Sequence, residues 1–377
     1  MPEKNHDLQK ERKVSIDVFR GATIAGMILV INPGSWKHIY PQLRHADWHG
    51  LTFTDLIYPF FLFIVGMSIH FAFKKVLEKN IPVKTLYFKI IKRTILLFLL
   101  GLFLNSFPEF DLVNIRIMGV LQRIAVCYLI VSIIYVHTSL SGQIAWTAGL
   151  MLIYWAIMEW IPVPGIGSGH YEKYQSFATY LDQILLKGHM GYYEKLGEPE
   201  GVVSTLPSIS STLFGVLTAQ FLMIRSFQDK KHIMLALAGI AFSFVGIIWG
   251  YYLPVNKHLW TSSYVMVTTG LALLVYSGLY YLLDIKKYRL WGHPFIVFGS
   301  NAITVYILSI VVAKILQTIK LTGSDGTIYN LKSWLVLNTF NELFGNLNGS
   351  LAYAISYVLL WYGIMWIFYK KRIFIKI

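Results

Sequence analysis

The chain has 377 residues, of which 55% are hydrophobic and only 14% charged, with a mean hydropathy of +0.55. Soluble domains carry about 25% charged residues, so the composition excludes an ordinary soluble protein and indicates a polytopic membrane protein. The net charge of +14 fits lysine-rich loops that face anionic lipid rather than a nucleic-acid partner, and the single cysteine, Cys127, excludes an intrachain disulfide.

Ten apolar runs approach the length of about 20 residues that a helix needs to cross roughly 30 Å of hydrocarbon. Their limits are 15–35, 51–73, 88–106, 115–137, 144–161, 204–224, 232–252, 260–282, 292–314 and 349–369. The fifth run is the weakest, because it is short and ends at Glu159-Trp160. Residues 1–377 are therefore predicted to form one all-α domain, a membrane bundle of about ten transmembrane helices.

Lysine and arginine accumulate in alternate loops. The residues concerned are Lys4, Lys10, Arg12, Lys13, Lys74, Lys75, Lys79, Lys84, Lys89, Arg225, Lys230, Lys231, Lys286, Lys287, Arg289, Lys370, Lys371, Arg372 and Lys376. Because basic residues concentrate on the cytoplasmic side of membrane proteins, the leader 1–14 and both termini are predicted to be cytoplasmic, which requires an even number of spans.

The opposite face receives loops with sparse and mixed charge: 36–50, 107–114, 162–203, 253–259 and 315–348. The long loop 162–203 contains Glu200, and the long loop 315–348 contains an apolar stretch, Leu331 to Phe344, that predicts an interfacial amphipathic helix. Long polar loops on one face indicate a binding site for an external substrate. No internal repeat is evident, which argues against an inverted-repeat transporter.

The loop between the first two spans is rich in histidine. His45 is the lead candidate for chemistry, because an imidazole transfers protons near neutral pH and can be acylated transiently. Asp47 and Asp55 are close enough in sequence to orient it. An ordinary interfacial histidine is the plain alternative. A third interpretation is a metal site formed by His38, His45, His49 and Asp47, but no other fixed ligand is evident and no metal is expected.

Arg123 is a charged residue inside the fourth predicted span, about eight residues from its outer end, which is roughly 12 Å of helix. An arginine at such a depth costs about 3 kcal/mol or more unless it faces a partner or a water-filled cavity. Two interpretations stay open: a structural ion pair, or an anion site in which the guanidinium fork binds phosphate or carboxylate. Gln122 adds a second polar group beside it.

Other polar residues also lie in apolar surroundings. Asn32 precedes Pro33-Gly34 and is either a helix cap or a functional group. Asn301 is predicted in the middle of the ninth span, where it would form interhelical hydrogen bonds. Asp17 and Arg20 are expected to form a local pair, and Arg20 also faces the side from which a cytosolic anion would enter. The sixth span contains three serines: Ser208, Ser210 and Ser211.

The chain resembles the heparan-α-glucosaminide N-acetyltransferase family and its bacterial relatives in two specific blocks. These are Ser15-Ile16-Asp17-Val18-Phe19-Arg20-Gly21, and Leu43-Arg44-His45-Ala46-Asp47-Trp48-His49-Gly50-Leu51-Thr52 followed by Asp55 to Gly66. Shorter blocks also match: Met118 to Arg123, Glu198 to Gly201 with Ser204 to Pro207, and Leu259 to Tyr264. The match runs through nearly the whole chain.

The resemblance implies a transmembrane acetyltransferase that takes acetyl from cytosolic acetyl-CoA and places it on the amine of a terminal glucosamine across the membrane. It implies that His45 is the active-site residue and that Asn32 lies beside it. Asn32 is the candidate hydrogen-bond donor to the oxyanion, and Asp47 is the third catalytic candidate. Whether acetyl rests on the histidine or passes directly stays open. The candidate substrate- and CoA-binding residues are Arg20, Trp48, Asp55, Gln122, Arg123, Glu200, Ser208 and Asn301.

Phosphates of CoA need cations, and the candidates at the cytoplasmic helix ends are Arg20, Lys92 and Arg93. Arg123 could meet the pantetheine arm or thioester, or order the carboxylate of Asp47 or Asp55. Animal members carry a lumenal N-terminal domain that precedes the first span matched here, so we expect an envelope or foraged sugar as the acceptor.

The expected location is the bacterial cytoplasmic membrane, with a homodimer expected by analogy. A sugar permease and an O-acetyltransferase of an envelope polysaccharide remain alternatives.

Overall fold

The computed structural model describes residues 13–78, 82–224, 227–322 and 326–375. Basic residues of the predicted inner face that lie outside these ranges are Lys4, Lys10, Arg12, Lys79, Arg225 and Lys376. The helices are α1 Val14–Ile31, α2 Phe53–Glu78, α3 Val83–Ser106, α4 Val120–His137, α5 Leu140–Trp160, α6 Phe177–Leu185, α7 Val202–Met223, α8 Lys231–Trp249, α9 Ser262–Tyr280, α10 His293–Ser300, α11 Ala302–Thr318, α12 Leu331–Leu335 and α13 Glu342–Lys370. A short antiparallel hairpin pairs β1, Lys320–Thr322, with β2, Ile328–Asn330.

The prediction of an all-α, polytopic membrane bundle is confirmed. Within the described ranges eight helical segments are long and apolar enough to cross a membrane, and the bent pair α10–α11 makes a ninth if it counts as one span. A helix also occupies the third predicted span, but α3 carries Lys89, Lys92 and Arg93 and is less apolar than the others. The orientation of the termini stays a prediction.

The centre of the bundle is formed by α2 and α7, whereas α5 and α8 lie at its periphery. Two glycines allow the central pair to approach closely. A Cβ atom at Gly66 would lie 1.8 Å from the carbonyl oxygen of Thr212, and one at Gly215 would lie 1.9 Å from that of Phe63. Small residues at such a crossing let two backbones touch, which fixes α2 rigidly against α7.

The bundle has two different ends, which we name from α1. The loop end, where α1 finishes and α2 begins, gathers several predicted outward loops through backbone hydrogen bonds. Gly50 donates to the carbonyl of Val255 (2.8 Å) and Gly34 to that of Ser350 (3.1 Å). The terminal end is where α1 begins and α13 finishes.

Two positions differ from the sequence-based predictions. The ninth predicted span is not continuous, because α10 and α11 meet at 72° where Asn301 leaves helical geometry. The side chain of Asn301 does not join two helices: its Nδ2 donates to the carbonyl of Ile373 (3.0 Å) and its Oδ1 accepts from the N–H of Ile375 (2.8 Å). Asn301 therefore holds the tail that follows α13 against the terminal end.

The second difference concerns Arg123. The fourth span was predicted from residue 115, but α4 begins at Val120, which places Arg123 in the first helical turn rather than eight residues inside. The preceding segment is kept out of the helix by Asn105, whose Nδ2 donates to the carbonyls of Arg116 (2.7 Å) and Met118 (3.0 Å). Arg123 is nonetheless fully buried, because the loops of the loop end cover it.

Candidate active site

His45 and Asp55 form a hydrogen-bonded pair at the loop end. Nδ1 of His45 lies 2.6 Å from Oδ1 of Asp55, and the carboxylate side chain is 1% exposed whereas the imidazole is 53% exposed. Since an ionised carboxylate can only accept, the pair fixes the tautomer with hydrogen on Nδ1. In the neutral ring Nε2 is then the nitrogen without a hydrogen, and this tautomer is the one that a general base needs.

The second oxygen of Asp55 holds the loop that carries His45. Oδ2 accepts from the N–H of Ala46 (3.1 Å), and from the N–H (3.1 Å) and hydroxyl (2.9 Å) of Thr52. Thr52 directly precedes α2 and Asp55 is its third residue, so the two form a capping-box arrangement in which a side chain of the first turn reaches back to the N-cap. The hydrogen bonds that cap the start of α2 therefore also position Asp55 to bond His45.

The backbone of Asp55 is also fixed from inside the bundle. The hydroxyl of Tyr264, a fully buried residue in the first turn of α9, donates to the carbonyl oxygen of Asp55 at 2.5 Å. Sequence reasoning did not single out Tyr264 as a site residue. Its position in the matching block Leu259 to Tyr264 was the available signal.

Two predicted catalytic residues have no hydrogen bond or ion pair with His45 or Asp55 among the described residues. Asp47 is exposed and, in the part of the chain that the structure describes, forms no ion pair or hydrogen bond with His45. Asn32 is buried at the end of α1, and its Nδ2 donates to the carbonyl of Ile28 (2.9 Å), so it acts as part of the helix end. The orienting carboxylate is therefore Asp55 and not Asp47.

Trp48 and Ser208 also have structural partners. Nε1 of Trp48 donates to the carbonyl of Tyr171 (2.8 Å), and its ring centroid lies 5.0 Å from that of His258, which ties the His45 loop to two other loops. The hydroxyl of Ser208 donates to the carbonyl of Ser204 (2.8 Å) within α7. Ser208 is fully buried there.

A buried cluster of charges lies beneath the loops. Arg116 forms ion pairs with Glu198 and, at 2.7 Å, with Glu200, and both carboxylates are buried. Burial raises the pKa of Glu200, but the charges of Arg116, Arg123 and Lys257 outweigh this effect and hold its pKa below the usual value. The positive charge of the arginines therefore favours the ionised form of Glu200.

Arg123 and Gln122 lie beside this cluster at the start of α4. Nη2 of Arg123 donates to Ser204 and to the carbonyl of Gly201 (3.3 Å), and its guanidinium carbon lies 5.1 Å from the centre of the Trp260 ring. Nε and Nη1 are buried without a hydrogen-bond partner among the described residues. The amide of Gln122 packs against Gly101 and Gly119, where a Cβ would collide with it.

A cavity of about 370 Å³ lies between α1, α2, α3 and α4 on the side of the terminal end. Its cations are Arg20, whose Nη2 donates to Ser68 (2.9 Å), and Arg93, whose guanidinium lies 4.7 Å from the centre of the Tyr128 ring. Asn301, one of the candidate substrate- and CoA-binding residues, also lines the cavity, whereas Lys92 is exposed on α3. Two arginines with an aromatic ring suit an anionic nucleotide.

The cavity and the His45 pair lie along the same helix. Phe61 of α2 lines the cavity, and Asp55 precedes it by six residues. At 1.5 Å per residue the two positions are separated by about 9 Å along the helix axis. Tyr58 occupies the turn between them.

The described residues contain no group of three or more histidine, cysteine, aspartate or glutamate side chains arranged to hold a metal ion. The ring of His49 instead contacts Glu172 (3.3 Å) and Asn256 (3.3 Å).

Comparison with known proteins adds the chemistry of relatives. Residues 12–166 match a family model described as a domain of unknown function, DUF5009. The chain is 30% identical to the heparan-alpha-glucosaminide N-acetyltransferases of Mus musculus and Homo sapiens, in alignments that cover 78% of this chain. It is a distant relative of these transferases. The alignments cover 52% of each relative, so the chain spans about half the length of the curated relatives it matches.

The resemblance to heparan-α-glucosaminide N-acetyltransferases, which was inferred from the sequence motifs, is therefore confirmed. The segment that matches the family model, 12–166, contains His45, Asp55 and Arg123.

Asp182 of α6 gives a pH-dependent test of the loop-end packing. Its Oδ1 accepts from the N–H of Val202, the first residue of α7 (3.0 Å), and burial raises the pKa of this carboxyl to about 6. Because the folded-state pKa lies above the usual value of 3.8, the group stabilises the fold most below that value, and this contribution is lost as the pH rises through about 6. We expect Asp182→Asn to raise the unfolding temperature at pH 8 and to change it little at pH 4.

The measurement is thermal unfolding in detergent at both pH values, with the exposed Asp47→Asn as the matched control. An Asp182→Asn protein that is less stable at pH 8 than at pH 4, relative to wild type, would contradict the assignment.

Proposed function

We propose that this protein is a transmembrane acetyltransferase that moves acetyl from acetyl-CoA, bound at the terminal end, to the amine of an amino sugar at the loop end. The observation that carries the proposal is the His45–Asp55 pair, an exposed imidazole whose Nδ1 is held by a buried carboxylate. The relationship to N-acetyltransferases supports the reaction class.

The proposed reaction uses His45 as the base. The neutral amine of the sugar attacks the carbonyl carbon of the thioester, and Nε2 of His45 takes the proton that the new nitrogen–carbon bond makes acidic. The carbon–sulfur bond then breaks, the electron pair leaves with the CoA thiolate, and the thiolate takes up the proton. Asp55 stabilises the imidazolium in between. Transient acetylation of Nε2 is the second route, and it requires the same free nitrogen.

The donor side rests on the terminal-end cavity. Arg20 and Arg93 are placed to bind phosphates of CoA, and Tyr128 offers a ring for stacking. The extended thiol arm of CoA would then follow α2 over the remaining rise of about 9 Å toward Asp55 and His45. This route requires the terminal end to face the cytosol, in agreement with the charge of the loops.

The coarse location is that of a multi-pass membrane protein. We place it in the bacterial cytoplasmic membrane with its loop end outside. Association into a homodimer stays a prediction.

The proposal is tested by incubating the purified protein in proteoliposomes with acetyl-labelled acetyl-CoA and glucosamine. We expect label in an amide product that resists hydroxylamine. A product that hydroxylamine cleaves would identify an O-acetyltransferase instead. Sugar uptake that needs no acetyl-CoA, without any acetyl transfer, would identify a permease and reject the proposal.

The cavity gives a separate prediction. Removing one phosphate-binding cation, by Arg20→Ala or Arg93→Ala, is expected to raise the KM for acetyl-CoA by about tenfold, since a charge-assisted hydrogen bond contributes about 1.5–3 kcal/mol. The KM for the acceptor should change little, because the cavity lies away from the loop end. Initial-rate kinetics with each substrate varied in turn measure both constants.

Lys89→Ala is the matched control, because Lys89 is an exposed cation on α3 that does not line the cavity. Equal effects of Lys89→Ala and Arg93→Ala on the KM for acetyl-CoA would mean that only general charge matters, and would reject the cavity as the nucleotide site.

A further inference from the structure

Arg123 has hydrogen-bonding capacity that the protein does not use. A guanidinium group carries five N–H donors, and the two on Nη2 point to Ser204 and to the carbonyl of Gly201. The three on Nε and Nη1 have no partner among the described residues, although the side chain is completely buried. An unpaired buried donor costs about 1–3 kcal/mol, and more when it is charged, so such a group in a native protein points to a bound partner.

Arg123 lies next to a residue that lines the cavity and in a helical turn that contacts α2, the helix that carries Asp55. Ile124, the next residue, lines the cavity. Tyr58 of α2 donates from its hydroxyl to the carbonyl of Val120, the first residue of α4 (3.1 Å). Tyr58 also lies between Asp55 and the cavity residue Phe61 along α2. Arg123 therefore lies at the level through which the thiol arm of CoA would have to pass.

The surroundings of Arg123 suit an oxyanion site. Trp260 packs against its guanidinium and against the ring of Tyr58, with distances of 5.1 Å and 4.9 Å, so the site is walled by rings and excludes water. The buried carboxylate of Glu200 is ion-paired with Arg116 rather than with Arg123. Preorganised donors in a dry site stabilise developing negative charge far better than donors in water.

Resting on the proposed function, we propose that Nε and Nη1 of Arg123 bind the carbonyl oxygen of the acetyl thioester and stabilise the oxyanion that forms when the amine attacks. The bond changes are those of the proposed reaction: the carbonyl π pair moves to oxygen as nitrogen bonds carbon, and returns as the carbon–sulfur bond breaks. Asn32, the donor expected from the sequence, already donates to Ile28 at the end of α1.

The test compares Arg123→Lys with wild type. Lysine keeps the positive charge but not the planar fork, so the interaction with the oxyanion is lost while the charge balance with Glu200 is retained. Removing an oxyanion donor lowers kcat by about 100- to 1,000-fold, and we expect this loss without a comparable change in the KM for acetyl-CoA. Inhibition by S-ethyl-CoA, a thioether without the carbonyl oxygen, should keep its wild-type constant.

Lys89→Arg is the matched control, because it exchanges the same two kinds of cation at an exposed position on α3 that does not line the cavity. The inference is supported if only Arg123→Lys loses kcat. It is overturned if Arg123→Lys keeps wild-type kcat, or if it loses S-ethyl-CoA binding together with activity, which would assign the arginine to folding. A wild-type protein that transfers no acetyl would reject the proposed function itself, and this inference with it.

Discussion

Replacing His45 with alanine is expected to lower kcat for acetyl transfer by about 100- to 10,000-fold, the usual contribution of a positioned general base. The fold should persist, because the ring of His45 is half exposed and its side chain bonds to Asp55 alone among the described residues. If the histidine is instead an obligatory acetyl carrier, the loss should be complete, because the acetyl-imidazole intermediate can no longer form. Single-turnover rates with acetyl-CoA and glucosamine measure the size of the effect.

His38→Ala is the control for this experiment. His38 lies on the same stretch between α1 and α2 and is exposed, so its removal changes the loop composition but not the His45–Asp55 pair. Wild-type kcat in the His45→Ala protein would remove the base from the proposed mechanism, whatever the behaviour of the control.

Asp55→Asn is the second change with a large expected effect. An asparagine can still accept from Ala46 and Thr52 through its one oxygen, and its NH₂ group then faces Nδ1 of His45. Because that nitrogen must now accept, the imidazole is forced into the tautomer with hydrogen on Nε2, which cannot act as a base. We expect kcat to fall by about 1,000-fold or more, as in other carboxylate–histidine pairs whose tautomer is reversed.

The decisive comparison is with Asp55→Glu and with Asp111→Asn. In Asp55→Glu the side chain is one methylene longer but keeps the carboxylate that accepts from His45, so part of kcat should be recovered. Asp111 is exposed in a segment at the loop end, and Asp111→Asn should leave kcat unchanged. An Asp55→Asn protein with normal kcat and a normal pH profile would show that the tautomer of His45 does not matter. Thermal unfolding separates this effect from loss of the helix start.

The sequence was sufficient to predict most of the bundle, for a physical reason. A membrane span needs a long apolar run, and such runs are legible in composition alone. It could not reveal that residues 115–119, although apolar in part, stay outside α4, because that depends on the side chain of Asn105 bonding to their carbonyls. The break at Asn301 was missed for a similar reason, since its partners at 373 and 375 are remote in sequence.

The candidate site was predicted in part. His45 stood out as a titratable residue in a loop between two spans. Whether Asp47 or Asp55 would orient it could not be decided, because both are near in sequence and only the start of α2 selects one. The lack of hydrogen-bond partners for Nε and Nη1 of Arg123 depends on how the folded helices and loops pack around it, so it could not be predicted from the spacing of residues in the sequence.

The attachment of the tail to Asn301 has a practical consequence. Ile375 itself lines the basic cavity, and its N–H is bonded to Asn301, so the last described residues lie directly at that cavity. If acetyl-CoA binds in this cavity as proposed, a purification tag at the C-terminus is expected to weaken its binding, and affinities for CoA are better measured on a protein tagged at the N-terminus.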